Sequence, residues 1–410
     1  MPNFDTISIE DATDRLIDYR GKTPPKTDSG VRLITAKVVK GGQILNEPAE
    51  FIAADFYDEW MRRGLPQKFD VLLTTEAPLG EVAFLRDSER IALAQRIILL
   101  RAKSGYVDPL FLFYALQSDF GQGELKARSS GTTVLGIKQS ELRQVRIPIY
   151  ALPVQHRIAS ILSAYDELIE NSQRRIRLLE TMARALYGEW FVQFRFPGHD
   201  KIPRITSPLG DIPQGWEVKK LGDFVQFKSG FAFKSGTFTA KGQYRLVTIK
   251  NVHDGEFNPD SDTRLDELPA KLPSYCILKD GDILLSLTGN VGRVCLVYDG
   301  PFLLNQRVST LAPMESIDWA ITYCMFRESD MRIKLEQLSN GVAQQNLSPI
   351  LASNMQCTYA PQELRQQFAT LAEPMVRCII QLFSTIQNLR RTRNLLLPRL
   401  LSGRLKLKEN

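Results

Sequence analysis

Long apolar runs are missing from this sequence, and no stretch reaches the ~18 consecutive apolar residues that a membrane-spanning helix needs. The opening segment, MPNFDTISIEDATDR, also lacks the basic start and apolar core of a secretion signal. These absences predict a cytoplasmic protein. Cysteine is scarce and forms no C-x-x-C pair, which predicts reduced, mostly packed thiols at Cys276, Cys295, Cys324, Cys357 and Cys378.

Signatures of catalysis are missing as well. The sequence has no G-x-x-x-x-G-K-[ST] loop for a nucleoside triphosphate and no G-x-G-x-x-G between a strand and a helix. The histidines, which stand at His156, His199 and His253, do not have the spacing of a metal site. We therefore expect no metal site and no catalytic residue in this chain.

Two short segments resemble catalytic motifs only in part. Asn258-Pro259-Asp260 lacks the second proline and the aromatic residue of an adenine-methyltransferase N-P-P-[FY] motif, and we interpret it as a turn. Asp260, Glu267 and Lys271 could suggest a nuclease cluster, but their spacing is wrong and the local composition is typical of a loop. Neither segment changes the expectation of a non-catalytic chain.

Length and charge set broad limits. A chain of 410 residues, 43% of them hydrophobic, predicts a globular protein of about two to four domains. The formal net charge of +6 suits a polyanionic partner, although it is too modest to establish one.

Two helical stretches, residues 153–190 and 361–400, organise the chain. Their apolar residues alternate by threes and fours, which is the spacing of a coiled-coil seam. Ser163 as an N-cap and Gly188 as a breaker predict a first core helix at 164–187, and Pro374 and Pro398 predict a second at 374–397. The predicted seam comprises Leu162, Tyr165, Ile169, Ser172, Ile176, Leu179, Ala183, Leu186 and Trp190 in the first helix, and Met375, Ile379, Leu382, Ile386, Leu389, Arg393, Leu396 and Leu400 in the second.

The segments before these helices repeat each other. VRLITAKVVKGGQI (31–44) and YRLVTIKNVHDGEF (244–257) are identical at six of 14 positions. Residues 70–82 then match 282–294, Gln95-Arg96 matches Gln306-Arg307, and Ser130-Gly131 matches Asn340-Gly341. The sequence therefore predicts one unit of roughly 210 residues written twice, each an α+β domain followed by a long helix.

Local patterns predict the elements of the first domain. We expect strands at 31–39, 71–75, 82–85, 97–101 and 145–149, helices at 55–63 and 109–117, and a polar loop at 129–133. Proline and glycine predict a linker at 205–215. The predicted segments are a first domain at 1–152, a helix with its linker at 153–199, a second domain at 200–360 and a C-terminal helix at 361–410.

The loops that recur in both copies carry side chains suited to phosphates and base edges. Each side chain alone is typical of a solvated surface, but their coincidence at repeat-equivalent positions favours nucleic-acid binding. The copies differ most in these loops, as in Glu76-Ala77-Pro78 against Thr288-Gly289-Asn290, which predicts two different target sequences. The candidate DNA-binding residues are Arg20, Lys22, Lys37, Lys40, Thr74, Thr75, Arg96, Thr132, Thr133, Lys228, Lys234, Lys250, Asn251, Thr288, Asn290, Arg293, Gln306, Arg307, Gln344, Gln345 and Asn346.

The helices also carry residues that a single seam does not use. Apolar residues off the seam predict a surface for partner proteins, with packing against the chain's own domains as the alternative. The basic end of the last helix, residues 390–408, either complements the helix dipole or contacts phosphates or a partner. The candidate partner-binding residues are Leu168, Leu178, Met182, Phe383 and Leu395.

Five short motifs, in this order and spacing, carry a resemblance that covers nearly the whole chain. They are LPVQHRIASIL (152–162), ALYGEWF (185–191), IPQGW (212–216), Asn340-Gly341 and LLLPRLLSGRL (395–405). With them the chain resembles the specificity subunit of a type I restriction–modification system. The first copy departs from the pattern because it has no match to IPQGW.

The resemblance implies two target-recognition domains joined by two long antiparallel coiled-coil helices, with an internal pseudo-two-fold. It implies a non-catalytic chain that binds a bipartite site in double-stranded DNA and two modification methyltransferase subunits, with restriction and translocase subunits in the full complex. S-adenosylmethionine, ATP and Mg²⁺ would belong to those partners. Helices of 24 residues would span about 36 Å, close to the ~34–36 Å between half-sites one turn apart.

Two other functions remain open from the sequence. The two domains could form a scaffold that binds proteins without DNA specificity. A stand-alone methyltransferase or nuclease is disfavoured by the missing motifs. DNA affinity that falls steeply with salt would distinguish a DNA specificity subunit from a scaffold that binds proteins.

Overall fold

The computed structural model describes residues 4–19, 23–339 and 346–405. Within these residues, none of the helices has the length and apolar character needed to cross a membrane. The elements before the first long helix are β1 (Thr6–Ser8), α1 (Ile9–Ala12), β2 (Thr13–Asp18), β3 (Val31–Ile34), β4 (Val39–Lys40), β5 (Gln43–Ile44), β6 (Phe51–Ile52), α2 (Tyr57–Trp60), β7 (Val71–Thr75), β8 (Leu79–Phe84), β9 (Ile91–Leu93), β10 (Ile97–Ala102), α3 (Pro109–Gln117), α4 (Asp119–Ala127), α5 (Gln139–Gln144) and β11 (Arg146–Pro148).

The second half of the chain begins with the first long helix and ends with the second. Its elements are α6 (Leu152–Tyr187), β12 (Arg204–Ser207), β13 (Gly210–Pro213), β14 (Glu217–Lys220), β15 (Val225–Ser229), β16 (Tyr244–Val247), β17 (Arg264–Leu265), β18 (Ile277–Leu278), β19 (Ile283–Ser286), β20 (Val294–Leu296), β21 (Phe302–Leu304), β22 (Val308–Pro313), α7 (Trp319–Arg327), α8 (Ser329–Ser339), α9 (Pro349–Ser353), β23 (Gln356–Tyr359) and α10 (Gln362–Leu401).

The chain forms two compact units. Unit 1 comprises Met1–Ile169 with Leu389–Asn410, and unit 2 comprises Glu170–Asn388. Each unit therefore contains one globular domain together with parts of both long helices. These units do not coincide with the four consecutive segments predicted from the sequence, because each long helix contributes residues to both units.

The two units share the strand order of their four-stranded sheet. Unit 1 has a four-stranded sheet in the order β2-β10-β7-β8, and unit 2 has β15-β22-β19-β20. A second sheet in each unit contains one parallel pair, β3 with β9 and β16 with β21. A third antiparallel pair, β1 with β11 and β14 with β23, precedes each long helix. These equivalences confirm the predicted duplication and the α+β class.

The predicted seam is confirmed by burial. Leu162, Ile169, Ile176 and Ala183 are buried along α6, and Ile379, Leu382, Ile386 and Leu400 are buried along α10. In unit 1, the Tyr150 hydroxyl donates to the Leu401 carbonyl, and Arg393 pairs with Asp166. Residue numbers thus rise along one helix while they fall along the other, so the two segments within unit 1 are antiparallel.

Both long helices agree with the helical stretches predicted at 153–190 and 361–400, but the core helices predicted at 164–187 and 374–397 are too short. The long helices contain 36 and 40 residues instead of 24, which corresponds to about 54 and 60 Å. Ser163 is not an N-cap, since its hydroxyl donates to the Ser160 carbonyl inside the helix. The early turns form because Ile158 and Ala159 are buried against the globular part of unit 1.

The prolines of α10 do not mark its ends as predicted, with Pro374 at the start and Pro398 after the end. Pro374 lies in the helix interior at an exposed position, where water can solvate the carbonyl that loses its hydrogen bond. The helix also continues past Pro398, because the buried side chains of Leu400 and Leu401 hold the last turn. The breaker at Gly188 is confirmed as the end of the regular helix, although a π-helical turn, Gly188–Val192, follows it.

Other local predictions had mixed outcomes. The helix predicted at 109–117 and the strand at 71–75 are confirmed, and the strand at 97–101 extends by one residue. The strand predicted at 31–39 ends at Ile34, because Thr35–Val38 form a turn. The helix predicted at 55–63 shrinks to α2, and the linker predicted at 205–215 is largely the hairpin of β12 and β13.

Candidate nucleic-acid interface

Three segments meet at one edge of unit 1. They are the end of β7, the turn that holds Arg96 before β10, and the loop 129–136 before α5. The Thr75 amide donates to the Arg96 carbonyl at 3.0 Å, and the Ile137 amide donates to the Thr75 carbonyl at 3.0 Å. The Arg96 guanidinium contacts the Glu76 carboxylate at 2.7 Å. Backbone pairing therefore brings the predicted residues of these segments together.

The loop 130–136 is closed by its own backbone. Ser130 and Gly136 exchange two hydrogen bonds of 2.8 and 2.9 Å. Gly131 has φ +113°, and a Cβ there would lie 2.2 Å from the Val134 carbonyl oxygen, so only glycine fits. Thr132 and Thr133 are exposed on this loop, as predicted for a surface that binds a partner.

Unit 2 repeats the same arrangement. The Leu287 amide donates to the Arg307 carbonyl at 3.1 Å, and the Leu347 amide donates to the Leu287 carbonyl at 2.8 Å. Thr288 pairs with Asn346 in an isolated bridge that is equivalent to the bridge of Glu76 with Gly136. This edge therefore carries the predicted residues Thr288, Arg307 and Asn346.

The turn after β19 adds two more predicted residues to this edge. The Ser286 hydroxyl donates to the Asn290 carbonyl and accepts from the Arg293 amide at 3.0 Å. The Ser286 side chain thus holds the turn through the backbone groups of Asn290 and Arg293, so these two contacts do not use the Asn290 and Arg293 side chains. Gln306 is exposed beside Arg307.

The two edges differ in charge. In unit 1 the Glu76 carboxylate pairs with Arg96, and both side chains are nearly half exposed. In unit 2 the position of Glu76 is taken by Thr288, so the carboxylate has no counterpart opposite Arg307. Two edges built on one backbone pattern therefore present different electrostatic surfaces.

Several predicted residues lie in the interior. Thr74 and Thr75 are buried, and the Thr74 hydroxyl accepts from the Glu81 amide at 2.9 Å. Asn251 is also buried, and its amide donates to the carbonyls of Asn258 and Asp260 at 2.9 Å each. These three side chains are buried within the chain's own structure and are not part of the interface.

Other predicted residues lie on the surface in different contexts. Lys37 pairs with Glu50 at 3.4 Å, and Lys228 lies over the Tyr275 ring at 5.8 Å. Lys40, Lys234 and Lys250 are exposed on other segments. Four predicted residues lie outside the described residues, namely Arg20, Lys22, Gln344 and Gln345.

Sequence reasoning missed the residue that joins α6 to the globular part of unit 1. Gln155 is fully buried, and its amide donates to the carbonyls of Tyr106 and Tyr150 at 3.0 and 2.7 Å. Its side-chain oxygen accepts from the Asp108 amide at 2.9 Å. The available signal was a polar residue in the first turn of the motif LPVQHRIASIL.

Unit 2 replaces this amide by an ion pair. The repeat shift of 210 residues sets Arg365 on Gln155 and Asp318 on Asp108. The Arg365 guanidinium donates to the Asp318 carboxylate at 2.7 Å, and both side chains are buried. The Tyr359 hydroxyl donates to the same carboxylate at 3.0 Å. Burial, the nearby Asp318 charge and this hydrogen bond raise the pKa of Tyr359, which remains neutral.

A second cluster, centred on the buried Arg327, fixes α6 in unit 2. Arg327 contacts the Glu180 carboxylate at 2.6 Å and also pairs with Asp254. In unit 1 a different contact joins α6 to the globular part, since the Tyr114 hydroxyl donates to the Asp166 carboxylate at 2.6 Å. Burial, followed by the Asp166 charge, raises the pKa of Tyr114 far above its usual value. The helices are therefore attached to the globular parts through specific polar contacts as well as apolar packing.

The predicted partner-binding residues divide into two groups. Leu168, Leu178, Met182 and Leu395 are between 53% and 60% exposed on the long helices. Phe383 instead stacks on Tyr298 within unit 2, with ring centroids 4.9 Å apart and planes at 4°. The prediction for Phe383 is wrong, because its ring packs on the chain's own domain.

The thiols are packed, as the sequence predicted. The cysteines are free, three are buried and two are half-buried. Burial raises the pKa of Cys324 and of Cys357 to about 12, so neither forms a thiolate nucleophile near neutral pH. In the ranges that the structure describes, His, Cys, Asp and Glu form no group of three that could hold a metal ion.

Comparison with known proteins gives consistent matches. A family model for the type I restriction modification DNA specificity domain matches residues 21–181 and again 213–349. The chain is 29% identical to the type I restriction enzyme MjaIX specificity subunit of Methanocaldococcus jannaschii, over 83% of this chain and 79% of that protein. It is 23% identical to the HindI specificity subunit of Haemophilus influenzae, over 82% and 86%.

One solved structure shares the fold. The crystal structure of a type I restriction–modification S subunit from M. genitalium superposes with a TM-score of 0.61 at 20% identity, covering 98% of this chain and 96% of that one. The family model matches more than half of the chain, once in each repeat. The chain therefore belongs to the family of type I restriction–modification DNA specificity proteins.

Proposed function

We propose that this chain is the specificity subunit of a type I restriction–modification complex, and that each globular domain reads one half of a bipartite DNA target. One observation carries the proposal. The same backbone pairing builds an edge in each unit, and the two edges present different side chains, with Glu76 and Arg96 on one and Thr288 and Arg307 on the other. Two edges with the same backbone pairing and different side chains suit two domains that recognise different DNA sequences.

The chemistry of these edges suits duplex DNA. Arginine binds phosphates and the guanine edge, and asparagine binds the adenine edge in the major groove. Arg307, Asn290 and Asn346 place both side-chain types on one edge of unit 2. We expect phosphate contacts to supply most of the affinity and to make it salt-dependent.

The helices serve as the docking surface for two modification methyltransferase subunits in this proposal. Exposed leucines at 168, 178 and 395 support such a surface, because burying a leucine contributes about 1.5–3 kcal/mol. The chain itself performs no catalysis. S-adenosylmethionine belongs to the modification subunits, and ATP and Mg²⁺ belong to the full complex with its restriction and translocase subunits.

The proposal is tested by changing one reader at a time. The complex is reconstituted with its modification subunits, and its target is mapped by sequencing methylated bases. Changing Gln344, Gln345 and Asn346 together to Ala should relax one half of the target, with about 1–3 kcal/mol lost for each base-edge contact. The matched variant, Thr132→Ala with Thr133→Ala, should affect the other half.

Three outcomes would count against this function. Loss of specificity in both halves from either variant would contradict separate readers. DNA binding without sequence preference in the wild-type complex would contradict the specificity role. Absence of salt-dependent DNA binding would favour a scaffold that binds proteins.

A further inference from the structure

The loop 130–136 of unit 1 exposes two apolar side chains at its tip. Val134 is 54% exposed and Leu135 is 43% exposed, although valine and leucine are usually buried. The flanking residues of the loop are serine, glycine and threonine. Val134 and Leu135 are therefore the large apolar groups that this loop offers to solvent.

The backbone of the loop holds these side chains in a defined place. The paired hydrogen bonds of Ser130 and Gly136 close it, and the Ile137 amide ties it to β7. Gly136 forms a bridge with Glu76, which in turn contacts Arg96 at 2.7 Å. The apolar tip thus belongs to the same edge as the charged pair that we assign to DNA.

The second repeat has different chemistry at the same positions. The shift that aligns Ser130-Gly131 with Asn340-Gly341 sets Gln344 and Gln345 on Val134 and Leu135. Glutamine amides match the hydrogen-bonding edge of adenine, whereas valine and leucine offer no donor or acceptor. In the major groove the apolar feature of a base pair is the C5-methyl group of thymine.

We propose that Val134 and Leu135 read thymine methyl groups in the half-site bound by unit 1. This inference rests on the proposed function and adds the chemical class of base that these residues select. The contact buries methyl groups that are exposed in the free protein and the free DNA, and it discriminates thymine from cytosine at the same position.

Replacing thymine by deoxyuridine tests the inference, since it removes the methyl group and keeps every base-pairing atom. Each thymine of the unit 1 half-site is replaced in turn in a duplex with the mapped target, and binding of the complex with its modification subunits is titrated at fixed salt. At one or two positions, deoxyuridine should weaken binding about fourfold, as expected for one buried methyl group.

The variant Val134→Ala with Leu135→Ala should bind thymine and deoxyuridine duplexes equally at those positions. The conservative variant Val134→Ile with Leu135→Met should keep the difference. Thymines in the other half-site should show the same deoxyuridine effect in the wild type and in the alanine variant. Thermal unfolding of each variant tests whether these substitutions in the exposed loop leave the fold intact.

The outcomes separate this inference from the function on which it rests. A half-site without thymine, or a deoxyuridine effect that persists in the alanine variant, would overturn the inference and leave the specificity role standing. The inference is also overturned, and the specificity role stands, if deoxyuridine has no effect while the alanine variant still loses affinity. That result would indicate that Val134 and Leu135 insert between base steps. A wild-type complex without sequence preference would overturn both.

Discussion

At the scale of single residues, the sharpest contrast between the two repeats is the carboxylate at one reading edge. Glu76 neutralises Arg96 in unit 1, and threonine takes its place in unit 2. Glu76→Thr should free one guanidinium for phosphate, so the slope of log affinity against log salt should steepen by about one. Thr288→Glu should have the opposite effect through Arg307.

Titration of DNA at four or five salt concentrations measures these slopes. Asp87→Asn is the matched control, because it removes one exposed carboxylate from the same unit. If Asp87→Asn steepened the slope as much as Glu76→Thr, the effect would reflect net charge alone, and the pair with Arg96 would have no special role.

A second residue-scale prediction concerns the buried amide of Gln155. Gln155→Ala removes the hydrogen-bond partner of the Asp108 amide and of the carbonyls of Tyr106 and Tyr150 at a fully buried position. Unpaired buried polar groups are costly, so the free energy of unfolding should fall by about 2–4 kcal/mol. Urea unfolding measures this, with Ser160→Ala at an exposed position of α6 as control. Equal stability of the two variants would refute the anchoring role.

At the scale of elements, the long helices carry exposed leucines that the chain does not use for its own core. Leu178→Asp and Leu395→Asp should leave the isolated protein folded, because exposed substitutions usually change stability by less than about 0.5 kcal/mol. Each should abolish assembly with the modification subunits, since an aspartate would be buried without a partner. Light scattering measures assembly, and Asn171→Asp serves as the exposed control. Normal assembly of a destabilised protein would favour packing against the chain's own domains.

Helix length is the other element-scale quantity with a functional consequence. We propose that the two helices set the unread gap between the half-sites. The helices are about 54 and 60 Å long, longer than the predicted 24-residue cores, so the simple match of those cores to one turn of DNA does not hold. A stiff helix can still transmit a change in its length.

Four residues inserted after Arg175 add about one turn, ~6 Å. We expect the gap to grow by about one or two base pairs, at ~3.4 Å per base pair, while the bases read within each half-site stay the same. Sequencing of methylated bases before and after the insertion measures the gap. An active complex with an unaltered gap would show that the spacing is fixed by another element.

At the scale of the whole molecule, the chain is a pair of homologous readers that lack the sequence motifs of a catalyst. We predict that the purified chain transfers no methyl group to DNA when S-adenosylmethionine is added, and that transfer begins when modification subunits are supplied. The physical reason is that the sequence contains no glycine-rich loop for a nucleotide cofactor. Incorporation of labelled methyl groups into target DNA measures this. Transfer by the chain alone, free of partners, would overturn the non-catalytic role.

The sequence by itself determined the duplication, the helical seam and the family. Duplication is visible in identical residues at a fixed shift, and the seam is visible in apolar spacing, so both are properties of the chain read in order. The buried stripe from Leu162 to Ala183 and the shared sheet orders agree with these predictions.

Only the tertiary structure decided which polar residues face outward and which contacts hold the first turns of the helices. Thr74 and Asn251 look like surface residues in a list of polar side chains, but a neighbouring strand or turn buries them. Phe383 lies off the seam, yet the Tyr298 ring from a distant segment covers it. The first turns of α6 exist because Ile158 and Gln155 find partners far along the chain. Local periodicity specifies which face of an element is apolar, whereas burial depends on contacts between distant segments, which no local pattern encodes.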